Sequence, residues 1–595
     1  MKRSLWFIAI GAIASFFLNA SAYAACSGSS PNLTAASANR SDVADCVAAS
    51  TYGDTIVIPA CAAGNCVWTS GIDITKDIKI VGAGIDTTIL TLGFADNSTK
   101  EAFLKFTPDA TSRNNLQSLS GTHIFEVSGI TFAGNNRMAY KYGMWIYNSF
   151  TPVIKRVNIH HNKFNGIHRA VEIYGYTHGV FHNNTLINTN ASYPQGAGLD
   201  AFTYDVKSAG SSANWYIEDN TFSFSINDGV ISGAANNGGG YVARYNTVTG
   251  ATALYFDIHS NQGAGIKGGQ VVEIYGNDLG SSTTQNGMAL RGGKDIIFNN
   301  KLKQHGMEIY EEHADAISGL LPANQCPSTP NGLCTGTSTP YACCTGAATG
   351  TCGPQICLDT CNCWKVNHSY IWNNRDYTTN AIWSTFIRYD TYDNVVGHDN
   401  GPSELVENRE FWTQRATGTF DGTGDASSGG GVGCGTLASR PATCTTGVGY
   451  WATGQSCSDL TGMVGANPST PISGTLYRCT TTNTWTAYYT PYTYPHPLRQ
   501  LSLQVYNKNT FANGNFWTIL SGKAYTYALQ PKRYSGTNIY KVTQDGSSLL
   551  KQGSSVDLCE STKGSYFVNT SDGTLYVHST DDANPNMHSI EVVYK

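Results

Sequence analysis

The segment ALYFDIHSN, residues 253–261, alternates apolar with other side chains and sets Asp257 and His259 two residues apart, on one face of a strand. An imidazole titrates near neutral pH, and a carboxylate beside it can fix its tautomer, so the pair has the chemistry of a general base with its orienting partner. Similar triplets recur: Glu172-Ile173-Tyr174, Val230-Ile231-Ser232, Ala289-Leu290-Arg291, Glu308-Ile309-Tyr310 and Phe386-Ile387-Arg388. If these strands stack and each central apolar residue points inward, two outward columns result. One reads Tyr174, Ser232, His259, Arg291, Tyr310 and Arg388; the other reads Glu172, Val230, Asp257, Ala289, Glu308 and Phe386. The intervening coil, LDAFTYDV, carries Asp200 and Asp205 in a register that its sequence leaves open.

With rungs about 4.8 Å apart, Asp257, His259, Arg291 and Glu308 would share a patch the size of a few sugar rings. Breaking a uronic-acid chain by β-elimination needs a cation to neutralise the carboxylate, a base for the adjacent ring proton and a donor for the leaving oxygen. Arg291 or a bound calcium ion would serve first, His259 second and Tyr310 third. Asp257 would support His259 or supply a calcium ligand, while Tyr174, Glu172 and Arg388 would contact substrate. Asp257 and Glu308 could instead form the carboxylate pair of a glycoside hydrolase. The competing reading is a solvated wall, because a solenoid needs polar outer residues everywhere. On that reading Arg244, between tyrosines in YVARYN, is a stacked surface side chain. His160, His161, His178 and His182 lie near turns, where water or turn hydrogen bonds suit them better than a metal.

Such columns require a repeating scaffold, and the sequence has one. VNIHHNKF, GVFHNNTL, NWYIEDNTF, GYVARYNTV, QVVEIYGNDL and DIIFNNKL each read as a strand running into an Asn turn, at Asn162, Asn184, Asn220, Asn246, Asn277 and Asn300. The shortest intervals are 22 and 23 residues (184 − 162 and 300 − 277), and the longer ones imply loops on a constant coil. HIFEVSGITF has Ile130 at the corner, and HSYIWNNRD resumes the pattern at 368. Asn tolerates a left-handed turn and can hydrogen-bond from coil to coil, while Val157, Ile159 and Phe164 are predicted inside.

From about residue 50 to 410 this pattern resembles the pectate-lyase-like superfamily. SDVADCVAASTYGDTIVIPACAAGNCVWTSGIDITKDIKIVGAG is similar to that family's capping helix, first strands and Gly-x-Gly turn. The resemblance implies an all-β fold, a right-handed parallel β-helix (solenoid), acting on extracellular polysaccharide as a lyase or hydrolase. The adjacent Asp pair of the polygalacturonase-like members is absent from the coils, and Asp257-Ile258-His259 only partly matches the Trp-Ile-Asp-His segment of many pectate lyases. A non-catalytic glycan-binding, adhesive or structural extracellular protein is therefore the second expectation.

The organisation expected is a signal peptide (1–24), an N-terminal cap and first coils (25–120), the β-helix (121–412), a Cys/Gly-rich loop and capping region that covers the end of the helix as loops (413–497) and a small C-terminal β-domain (498–595). The signal rests on a basic start, an apolar run and Ala22-Tyr23-Ala24, and implies a secreted or cell-surface protein. Seventeen cysteines in an exported chain read as disulfides, with at least one left over for a free thiol or another chain. A Cys-rich insertion at about 319–365 is too poor in apolar residues to build a core, and it lacks both His and C-x-x-C spacing for zinc. A net charge of −5 with 13% charged residues argues against nucleic acid as a partner, and no later segment is apolar enough for a membrane span.

Overall fold

The computed structural model describes residues 26–501 except 135–139, 189–196, 204–207, 226–228, 235–239, 253, 260–270, 281, 284–287, 292, 304–306, 311–367, 384–385 and 390–406, and thereafter a set of short strands between 505 and 594; within several strands only the backbone is described. The expected signal peptide, the Cys-rich insertion, Asp205 and Cys559 lie outside the described residues.

Three long sheets wind around one apolar core as a parallel β-helix, with thirteen, eleven and ten strands on the first, second and third sheets. Each coil contributes one strand to each sheet: Ile154–His160, Lys163–Asn165 and Arg169–Gly175 form one coil, pairing in parallel with Thr177–His182, Thr185–Asn188 and Ala197–Thr203 of the next. Val157, Ile159 and Phe164 are buried in the core as their alternation predicts. Phenylalanines pack through it from coil to coil, Phe103 edge-on to Phe132 with centroids 5.5 Å apart and Phe132 stacked on Phe164 at 5.1 Å. Helix Arg40–Ala49 buries Val43, Cys46 and Val47 at the N-terminal end of this core, and the Cys26–Cys46 disulfide ties it to the first strand.

The corner between the first two sheets explains the Asn repeat. Asn162, Asn184, Asn220, Asn246, Asn277, Asn300 and Asn374 form a buried ladder in which each side-chain amide meets the carboxamide oxygen of the next, at 2.8–3.2 Å. Where Ile130 replaces Asn, its backbone N–H still donates to Asn162 Oδ1 at 3.2 Å. The left-handed residue is not the ladder Asn, as expected, but the one before it: His161, Asn183, Asp219, Tyr245, Asn299 and Asn373 all have φ between 47° and 57°. The ladder Asn is selected for its amide, which also donates to backbone carbonyls of two coils, as Asn220 does to Phe181 O and Glu218 O.

Residues 413–499 differ from the loops expected to close the solenoid's end. They include a four-stranded sheet (Val432–Gly435, Gly449–Ala452, Thr475–Thr481, Thr484–Tyr489) cross-linked by Cys434–Cys457 and Cys444–Cys479. This cap lies on the outer face of the first sheet, where Val180, Tyr216, Val242, Glu273, Ile296, Tyr370 and Trp412 occupy one column; its apolar members pack with Trp451, Leu476 and Tyr489, and Glu273 accepts a hydrogen bond from Tyr489 Oη at 2.6 Å. The first-sheet strands are buried on both faces, and their outer face carries Glu218, Arg244 and Glu273 as well as apolar residues. Beyond residue 501, short strands pair into sheets of four and five. No helix among the described residues is long and apolar enough to cross a membrane.

Candidate functional site

The third sheet carries the residues to which chemistry was assigned. Its pairings run Glu172 to Asp200, Asp200 to Ser232, Ser232 to Asp257, Asp257 to Ala289 and Ala289 to Glu308. Asp200, unplaced by sequence, thus joins the column of Glu172, Asp257 and Glu308. In the parallel column, Arg291 pairs with Tyr310, and the pairing of Ile258 with Leu290 sets His259 one residue further on, beside Arg291. The backbone therefore brings His259, Arg291 and Tyr310 to consecutive rungs, each flanked at two residues' distance by Asp257, Ala289 and Glu308. The side chains of Asp200, Asp257, His259, Arg291, Glu308, Tyr310 and Arg388 lie outside the described residues.

Three register expectations are corrected. Ser232 stands opposite Asp257, not His259, because Ile231 pairs with Phe256 rather than Ile258. Val230, expected outside, is 0% exposed in the core beside the equally buried Ile231: two successive residues turn inward at this corner, and strict alternation fails there. At the last coil Arg388 pairs with Ile309 and Tyr389 with Tyr310, so Phe386 and Arg388 are each one position out of the expected columns.

Glu172, expected in solvent, is buried, with Oε1 3.2 Å from Lys100 Nζ and Oε2 2.9 Å from Arg169 Nη1. Tyr174 is half-buried and packs on Tyr147 of the preceding coil, centroids 5.2 Å apart. The column continues where the sequence reading did not follow it: Glu172 pairs with Trp145, Trp145 with Lys105 and Lys105 with Asp73. Those coils lack the corner Asn used for alignment, although the alternation in MWIYN marks the strand.

On the first sheet the expected surface residues are buried beneath the cap. Arg244 is 0% exposed. Its Nε and Nη2 lie 2.7 and 2.6 Å from Glu218 Oε2, it donates to Tyr275 Oη and to the Tyr492 and Thr493 carbonyls, and it stacks over Tyr216 and Tyr494. Arg499 reaches Glu218, Asp219 and Asn183. Burial alone would raise the Glu218 carboxyl, but Arg244 and Arg499 outweigh it and bring it down to about 2. His160, His178 and His182 are likewise buried rather than hydrated; His160 meets Glu126 Oε1 at 3.2 Å and His161 Nδ1 at 2.8 Å. Burial and the Arg499 charge hold His182 well below the ordinary imidazole value. Among the described residues no group of three or more His, Cys, Asp or Glu could hold a metal ion, and the calcium site expected at Asp257 falls on side chains that are not described.

The fold and this arrangement define the molecule as a cysteine-rich parallel β-helix protein with one covered and one residue-rich outer face. No protein-family model matches the chain, and neither a curated protein nor a solved structure matches it.

Proposed function

We propose that this is an exported, polysaccharide-active protein of the pectate-lyase-like kind, cleaving a uronic-acid-containing glycan by β-elimination on the outer face of the third sheet. The observation that carries this reading is the placement of His259, Arg291 and Tyr310 on consecutive rungs about 4.8 Å apart, next to Asp257. On that backbone, Arg291 is set to offset the substrate carboxylate, His259 to take the adjacent ring proton with Asp257 orienting its imidazole, and Tyr310 to protonate the departing oxygen.

Hydrolysis is the second reading, favoured by one fact: Asp257 and Glu308 stand two rungs apart, about 10 Å between backbones, a span side chains can narrow to that of an inverting pair. Purified protein incubated with acidic and neutral polysaccharides, with and without calcium, separates the chemistries. Elimination yields absorbance from unsaturated sugar ends, hydrolysis yields reducing ends alone, and binding without either product returns the protein to an adhesive role. His259→Ala is expected to lower turnover by at least about a hundredfold; unchanged turnover removes His259 from the mechanism.

A further inference from the structure

We infer that the outer face of the third sheet in the coils before residue 175 is a binding platform for the uronate residues of an acidic polysaccharide, centred on Lys105, Trp145, Tyr147 and Tyr174. It deepens the reading above and rests on it only for what happens further along the chain of sugars. Trp145 and Tyr147 sit two residues apart on strand Lys141–Asn148, with centroids 6.1 Å apart, and Tyr174 lies 5.2 Å from Tyr147 on the next rung. All three are half-buried, so ring edges and faces remain accessible at positions where the core makes no demand for apolar residues. On the first sheet a comparable row, Tyr275, Phe298 and Trp372, is buried under the cap.

Charge identifies the occupant. Lys105 Nζ lies 5.2 Å from the Trp145 ring centre, and the Lys105 side chain is 39% exposed. Its carboxylate partner, Asp73, is 3.6 Å away and 79% exposed, a surface pair weak enough to exchange for a ligand carboxylate. Lys100, Lys105, Lys141 and Arg169 against Asp73, Glu101 and Glu172 leave this patch at +1 (four cations, three anions), in a chain whose net charge is −5. A pyranose presents an apolar C–H face to an aromatic ring, and a uronate adds a carboxylate at its edge, which Lys105 beside Trp145 is placed to meet. Trp145 and Asp257 share one column four rungs apart, so the platform is about 19 Å from the residues assigned chemistry, the length of a short oligosaccharide running along the axis.

The test is calorimetric titration of the full chain with polygalacturonate, alginate and a neutral galactan at low and moderate salt. Expected are binding of at least one acidic polymer over the galactan and about tenfold weaker binding in Trp145→Ala and in Lys105→Ala, the latter with a flatter salt dependence. Trp145→Phe is expected to retain most of the affinity, and circular dichroism of each variant checks its fold. Equal affinity in folded Trp145→Ala and Lys105→Ala, no preference for acidic polymers, or no binding at all overturns the platform. Binding without cleavage leaves the platform standing and removes the lyase reading; cleavage with binding indifferent to Trp145 and Lys105 does the reverse.

Discussion

Asp295 is a carboxylic acid at an inward position of the first sheet. Its rung neighbours Val272, Tyr241 and Trp215 all belong to the apolar core, and Asp295 itself is 0% exposed, with Oδ2 3.3 Å from Ser369 Oγ. Burial pushes its carboxyl up to about 7, so between the unfolded value near 3.8 and about 7 the folded state holds a proton that the unfolded state releases. Stability from this group is therefore complete below pH 4 and declines as pH rises toward 7, by about 1.4 kcal/mol per unit at most. Asp295→Asn is expected to melt close to wild type at pH 4 and well above it at pH 8; parallel melting curves at both values would refute the assignment. Arg244 poses the converse case, a buried cation whose loss strands Glu218 with Arg499 as its remaining partner, so Arg244→Ala is expected to cost about 3–5 kcal/mol in denaturant unfolding. A cost within about 0.5 kcal/mol would mean that Arg499 and water suffice. Neither environment was legible in DIIF or YVARYN, because burial of a single polar residue depends on what covers it, and the covering segments lie some 74 to 250 residues further on.

At the scale of elements, the Asn corner was legible because its amide bonds in several directions and the same residue recurs at successive corners from Asn162 to Asn374. Its left-handed neighbour was not, since that site accepts His161, Asn183, Asp219, Tyr245 or Gly276 and leaves no single signature. Register on the third sheet was legible from Asp257 to Tyr310, and slipped by two residues at Val230 and by one at Arg388. The slip at Val230 is one full strand period, so Ile231 faces inward in either register and the alternation cannot tell the two apart. The ladder makes a sharp prediction of its own. Asn220→Ala removes donors from the Phe181 and Glu218 carbonyls and an acceptor from the Asn184 N–H, all buried. The loss is expected to be about 3 kcal/mol or more, with Asn220→Asp unable to rescue because a carboxylate cannot donate. Denaturant melts of the two variants should therefore fall together, and recovery by Asp would show that the accepted bond alone matters.

The whole molecule sets two outer faces against each other: the first sheet closed by a disulfide-linked cap, the third carrying the column from Asp73 to Glu308. What holds the cap is partly apolar, through Trp372, Trp412, Trp451 and Leu476, and partly the Arg244, Glu218 and Arg499 node. Cys444 and Cys479 lie inside that apolar cluster and close a loop of sequence separation 35, a cross-link worth about 3–4 kcal/mol through the unfolded chain. Because the cap meets the solenoid on the first sheet, replacing both cysteines by Ala is expected to loosen the cap before the coils. Tryptophan emission, to which Trp372, Trp412 and Trp451 contribute, should shift to the red at lower denaturant than the loss of β-sheet circular dichroism, and the gap between the two midpoints should be wider than in the intact protein. Glycan binding at Lys105 and Trp145 should survive the first transition and vanish with the second, since those residues belong to the third sheet. If emission, circular dichroism and binding all fail at one midpoint in the Cys444→Ala, Cys479→Ala double variant, cap and solenoid form a single cooperative unit, and the cap supports the open face as well as the one it covers.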